Sequence, residues 1–323
     1  MPASYEKFDY TLRPAKSVER RLIAETVRKL SVLGDVSLYR YIGFGSVAFA
    51  DFVLFHKALG IDDMISVERE EGDLPRFEFN KPFQGIVIEP GRSDNVLPRL
   101  DWRQKTFLWL DYEGPIDDAA LADVDLFVTE AAVGSVAFVS ANAQAILTDE
   151  MKKTHKSERA LERMSELVTG GRLPTELKPD DLHGTKLTTL FRQLIRDQIG
   201  RALSARNAGA SAATRVFAKE VFDVEYRDGA RMMTFGFLIH RADQRALVAG
   251  SGLDNLDWVP KSALDPPFSI ELPLLTVRER RHLEGQFPYV KLDEVDPDWL
   301  RELGAEQYRR FYRHYPNYVD LEM

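Results

Sequence analysis

The chain has 323 residues, 44% hydrophobic and 29% charged, a balance that excludes a disordered, collagen-like or coiled-coil chain and suits a folded α/β protein. Lys and Arg number 43 against 51 Asp and Glu, a net charge of −8, so no bulk basic surface for wrapping nucleic acid is expected, though a local basic groove stays open. The absence of cysteine rules out disulfides, thiolate nucleophiles, iron–sulfur clusters and thiolate zinc sites, so any metal would need His or carboxylate ligands. No apolar run reaches the roughly 20 residues of a membrane span and the first residues lack a signal-peptide core, so the expected location is the cytoplasm, with no membrane partner.

In chain order, helical spacing of Val18, Leu22, Ile23, Val27, Leu30 and Leu33 predicts a helix over 17–33 with Ser17 as N-cap, preceded by an N-terminal arm. Residues 37–43 read as a strand, and 48–60 as a helix stopped by Gly60. Further strands are expected at 64–68, 85–89, 106–111 and 125–131, which would place five strands before residue 135. The charged stretch 149–185 reads as a solvated helix and loop, either a cover over a site or a plain surface insertion. A long amphipathic helix follows at 187–207, then two strands flanking Asp228-Gly229, the strongest hairpin signal in the chain. The tail reads as helical at 275–285 and 296–315, with an Arg/Tyr cluster (Arg309, Arg310, Arg313) that either covers apolar surface or meets an anionic group.

This alternation predicts a Rossmann-like, doubly wound α/β fold. Its mostly parallel seven-stranded sheet would carry an antiparallel hairpin at one edge and be followed by a helical C-terminal extension. The expected division is a main domain over 1–262, with the insertion 149–185, and an extension over 263–323.

The chemistry concentrates in Gly43-Phe44-Gly45-Ser46-Val47-Ala48, a G-x-G-x-x-A run between a predicted strand and a predicted helix. Gly43 permits the tight turn, Gly45 lets the backbone approach a ligand, and Ala48 allows close helix–strand packing. Such a turn also occurs as ordinary tight packing. Glu68 ends the next strand, where an acid can accept hydrogen bonds from both ribose hydroxyls of an adenosine-containing cofactor. Asp94 follows the third strand and either meets an adenine amino group or caps a helix. Asp111, Tyr112 and Glu113 follow the fourth strand at the carboxyl end of the sheet, where open α/β folds bind ligands, and a structural ion pair is the competing reading of the two acids.

Together, Gly43-Phe44-Gly45, Glu68, Asp94, the segment Leu110–Gly114 and the closing hairpin resemble a class I S-adenosylmethionine-dependent methyltransferase of the O-methyltransferase kind, over roughly residues 15–240. The resemblance implies S-adenosyl-L-methionine as cofactor, bound by Gly43, Phe44, Gly45, Ser46, Glu68 and Asp94. The glycine loop would hold the methionine part, Glu68 the ribose and Asp94 the adenine. The segment after the fourth strand would face the acceptor, with Asp111 as base, Tyr112 positioning the acceptor and Glu113 as second-choice base.

Two departures matter. The family often has an acid two positions before its first glycine, where this chain has Tyr41, so recognition of the methionine ammonium must come from elsewhere. Nor does Asp111-Tyr112-Glu113 match the Asn/Asp-Pro-Pro-aromatic signature of nucleobase amino methylation. It suits deprotonation of a hydroxyl, or a divalent metal, with a small molecule or RNA as acceptor. Arg13-Pro14-Ala15-Lys16 reads as a loose cationic arm or as an arm folding over the cofactor. Two alternatives stay open: a degenerate methyltransferase fold serving as a binding or assembly module, and an NAD(P)-dependent oxidoreductase, which would normally require a second βαβαβ half. No G-x-S-x-G elbow or H-E-x-x-H pair supports a serine hydrolase or zinc enzyme.

Overall fold

The computed structural model describes residues 13–144, 146 and 156–316. The chain opens with α1 (Pro14–Arg28) and continues through β1 (Arg40–Gly43), α2 (Ala50–Leu59), β2 (Met64–Glu68), α3 (Leu74–Asn80), β3 (Ile86–Pro90), α4 (Ser93–Val96) and β4 (Thr106–Asp111). Next come α5 (Asp118–Glu130), β5 (Val136–Asn142), α6 (Lys156–Leu167), α7 (Gly184–Arg206), β6 (Val216–Asp228) and β7 (Ala230–Arg241). The chain closes with α8 (Arg245–Gly250), β8 (Phe268–Ile270), α9 (Val277–Gln286), α10 (Trp299–Glu302) and α11 (Ala305–Phe311).

The strands form one sheet in the order β3-β2-β1-β4-β5-β7-β6-β8. The first five run parallel, β7 pairs antiparallel with both β5 and β6, and β8 adds in parallel to β6. The order reverses between β1 and β4, so the carboxyl ends of those strands meet at the crevice where such sheets hold ligands. Among the described residues no second βαβαβ half follows β5, which removes the main structural support for a dinucleotide enzyme. The expected seven strands become eight, and the hairpin is flanked by β8 instead of forming the edge.

One apolar cluster joins the inner face of α5 and α7 to one side of the sheet, and a second joins α1 and α2 to the other. Tyr41, Phe52, Phe55, Phe107 and Trp109 interlock edge-on beneath α2, with ring centroids 4.8–5.9 Å apart. After residue 270, Leu283, Phe287, Val295, Leu300 and Tyr308 form a small cluster of their own. Arg21 ties this extension to α1 by donating to the carbonyl oxygens of His314 and Tyr315 at 2.9 and 2.8 Å.

Three local expectations are corrected. Residues 125–131 are not a strand but the end of α5, which Asp117 caps by accepting from the Ala120 N–H at 2.8 Å. Its buried Ala120, Leu121, Val124, Phe127 and Val128 form a helical stripe, so packing of a whole helix overrides the β-propensity of a short Leu-Phe-Val run. Four strands therefore precede residue 135, and the fifth is Val136–Asn142. Ser17 is not an N-cap, because α1 begins at Pro14, whose missing N–H suits the first turn, and Ser17 N–H already bonds the Arg13 carbonyl. Residues 37–39 are not strand: Asp35 accepts from Ser37 N–H and folds a 3₁₀ turn ahead of β1. Residues 1–12 of the arm and 149–155 of the insertion lie outside the described residues; α6 occupies part of the remainder of that insertion.

Candidate active site

The glycine loop leaves β1 and enters α2 through Phe49, the one non-glycine residue among those described with a left-handed backbone, at φ 46°. A buried aromatic residue held there costs roughly 1–3 kcal/mol, so the bend is imposed by its surroundings. Ser46 supports it by accepting from the Ala48 N–H at 3.3 Å. A Cβ on Gly45 would fall 2.2 Å from both Glu68 Oε1 and Ser66 Oγ, and one on Gly43 would fall 2.3 Å from the Tyr41 hydroxyl. In each case the neighbour is the tip of a side chain, so a larger residue would have to displace Glu68 and Ser66, or the Tyr41 hydroxyl, from the loop. Phe44 turns its ring edge-on to Tyr112, centroids 5.3 Å apart.

Glu68 is buried at the end of β2 and faces the loop, as expected, with Ser66 Oγ donating to its Oε1 at 2.6 Å. Burial pushes its carboxyl up to about 7, the Ser66 hydrogen bond pulls it down and Asp51 raises it further. Asp94 does not cap α4; it lies in the first turn and pairs with Arg92 at 3.2 Å, partly exposed.

At the end of β4, Asp111 Oδ1 accepts from Lys16 Nζ at 2.7 Å, and the Asp111 side chain is 27% exposed. Its Oδ2 has no hydrogen bond or ion pair among the described residues. Lys16, read from sequence as part of an arm, is buried in the first turn of α1, 2.8 Å from Glu19 Oε2 and 4.4 Å above the Trp109 ring. The first helix thus brings a cation onto the fourth strand. Glu19 is fully buried, accepts from Thr234 and is raised by burial against the opposing pull of Lys16. Tyr112 points away from this group and donates to Asp123 Oδ2 at 2.6 Å. Burial is the main reason that Asp123 rises to about 6. Glu113 is exposed on the loop beyond.

Beneath the glycine loop, Asp51 in the first turn of α2 accepts from the Tyr41 hydroxyl at 2.5 Å. Burial raises the Asp51 carboxyl, and the Arg20 guanidinium is the main influence opposing it. From sequence, Lys16 is singled out only as part of an arm that folds over the cofactor or hangs loose, and Glu19, Arg20 and Asp51 are not singled out. The signals available were Pro14, which fixes the phase of α1, and the acid opening the helix after the glycine run.

Among the described residues no three His, Asp or Glu side chains are grouped to hold a metal, and no helix is long and apolar enough to cross a membrane. A cavity of about 400 Å³ lies away from the glycine loop, beside β6 and β8, lined in part by Asp223, Asp257, Trp258 and Phe268. In the tail, Arg309 donates to the carbonyls of Pro288 and Val290, and Arg310 lies 4.8 Å from the Phe268 ring, so these two cations serve the extension's own packing.

The sequence profile of a family described as "Putative O-methyltransferase" matches residues 8–323. No curated protein matches the chain. Among solved structures, it is similar to Trm1 from Pyrococcus horikoshii in complex with S-adenosyl-L-methionine, at 11% identity and TM-score 0.42, over 70% of this chain and 57% of that one. It is similar to an S-adenosylmethionine-dependent methyltransferase from Listeria monocytogenes at 9% identity and TM-score 0.40, over 68% and 98% of the two chains. It is also similar to the N-methyltransferase NodS from Bradyrhizobium japonicum at 11% identity and TM-score 0.37, over 69% and 97%.

Proposed function

The chain belongs to that O-methyltransferase family and is an S-adenosylmethionine-dependent methyltransferase, and we propose that it methylates a hydroxyl oxygen with Asp111 as base. The observation that carries this reading is the half-engaged carboxylate at the end of β4: Lys16 holds Oδ1 at 2.7 Å, and Oδ2 of this partly exposed side chain has no partner among the described residues.

The residues around the loop suit the cofactor. Gly45 lets Glu68 Oε1 and Ser66 Oγ come close against the loop backbone, which sets the Glu68 carboxylate where it would accept from a ribose diol. S-adenosylmethionine, when bound, supplies a methyl group activated by a positively charged sulfur. Asp111 then has one task. It accepts the acceptor's hydroxyl proton at Oδ2, so that the oxygen gains electron density while Lys16 keeps the carboxylate fixed. Most of the rate gain in such a transfer comes from alignment, with a base adding roughly 10²–10⁴-fold. Tyr112, held by Asp123, braces the loop after β4 and does not reach for the acceptor. Glu113 is the reserve base.

The test is transfer of labelled methyl from the cofactor to fractionated small-molecule and RNA pools, with the product bond identified by mass spectrometry. Label appearing on a hydroxyl oxygen supports the proposal. Label on nitrogen or carbon, or binding without turnover in any pool, contradicts it, and the latter outcome favours a binding module.

A further inference from the structure

Arg20 is 8% exposed, and its Nε is buried without a hydrogen-bond partner. No carboxylate stands within 4.0 Å of it among the described residues, although its charge acts on Asp51, Tyr41 and Tyr226. An uncompensated buried guanidinium is costly. Asp51, also 8% exposed, stands in the first turn of α2 directly after the glycine loop. The side chain between them in sequence logic is Tyr41, a phenol where an acid would be expected. It donates to Asp51 and fills the space that Gly43 leaves open. A buried carboxylate on α2 and a buried cation on α1 thus act on one another without pairing directly.

We infer that Asp51 and Arg20 form a receptor for an α-amino acid zwitterion, Asp51 taking the ammonium and Arg20 the carboxylate of the cofactor's methionyl portion. This rests on the cofactor reading above. A zwitterion satisfies both groups at once and adds no net charge to a buried region, whereas a simple anion or cation would satisfy only one. Arg is suited to the carboxylate because its planar fork presents paired donors.

The experiment measures binding of two probes by calorimetry: S-adenosylhomocysteine, which carries the amino-acid portion, and 5′-methylthioadenosine, which lacks it. Wild type, Arg20→Gln and Asp51→Asn are compared, with thermal unfolding followed alongside. The expected result is that each substitution weakens S-adenosylhomocysteine about 10–100-fold, the scale of a lost charged hydrogen bond, and leaves methylthioadenosine within about threefold. Equal weakening of both probes overturns the inference and leaves a structural role. Unchanged binding of both overturns it as well. Wild type that binds neither probe sinks the cofactor reading itself, and the pair with it.

Discussion

The two faces of the sheet each bury a cluster of charge, and the contrast between them separates structure from function. Against α7, Arg192 donates through Nε to Asp223 at 2.6 Å and lies 2.9 Å from Glu225, which also takes Arg231 at 2.9 Å and the Thr188 hydroxyl at 2.7 Å. Arg196 pairs in a fork with Glu220 at 2.7 and 2.8 Å. That cluster is closed apart from Arg192 Nη2. On the other face, under the glycine loop, Arg20 has no ion-pair partner within 4.0 Å and Asp111 Oδ2 no hydrogen bond among the described residues. Burial raises carboxylates on both faces, Asp223 on one and Glu19, Asp51 and Glu68 on the other, so the difference lies in the pairing. A closed cluster is explained by folding alone, whereas an open one is a candidate for a ligand.

The largest consequence falls on chemistry. Asp111→Asn is expected to lower kcat roughly 10²–10⁴-fold while S-adenosylhomocysteine affinity stays close to wild type, read by steady-state kinetics and calorimetry. An unchanged kcat would move the base elsewhere.

Stability should show the reverse asymmetry. Arg192→Met leaves Asp223 and Glu225 short of their buried partner and is expected to cost about 3–5 kcal/mol in denaturant unfolding. Arg20→Met removes a cation with no close partner and should cost much less. Similar costs at both positions would erase the distinction between the clusters.

Glu68 gives a pH signature in the same open region. Burial pushes its folded pKa up to about 7 from the ordinary 4.5, so its contribution to the ligand-free fold is fully present below about 4.5 and is lost as pH rises through about 7. A diol donating to the carboxylate favours its ionised form, so cofactor binding should release a proton and tighten about tenfold from pH 6 to pH 8. Glu68→Gln should flatten this profile; a persistent profile in that variant would assign it to another group. The smallest effect is expected at Glu113: as a reserve base on the exposed loop, its change to Gln should alter kcat by less than about threefold while Asp111 is present, and a larger loss would exchange the two roles.

Much of this arrangement was legible in sequence because it is local. The G-x-G-x-x-A turn, the acid ending residues 64–68 and the Asp-Gly hairpin each depend on a few neighbouring residues, and β2, β4 and Gly229 appear where patterning places them. Residues 125–131 misled because Leu126-Phe127-Val128 looks the same in a strand and on the buried side of a helix, and only the Asp117 cap resolves it. Lys16 was invisible as a partner of Asp111 because 95 positions separate them and only the tertiary course of α1 brings them together. Arg20 escaped for the same reason, since only the course of α1 brings its charge to Asp51; Asp51 itself had a local signal, as the acid opening the helix after the glycine run.

The central claim is that Gly45 and Glu68 frame an adenosine site, and calorimetric titration of wild type and Gly45→Val with S-adenosylhomocysteine tests it most directly. A Cβ at position 45 would lie 2.2 Å from Glu68 Oε1, so the account predicts saturable binding to wild type and none to a folded Gly45→Val. Equal affinity in the two proteins, or no binding to wild type, would contradict it.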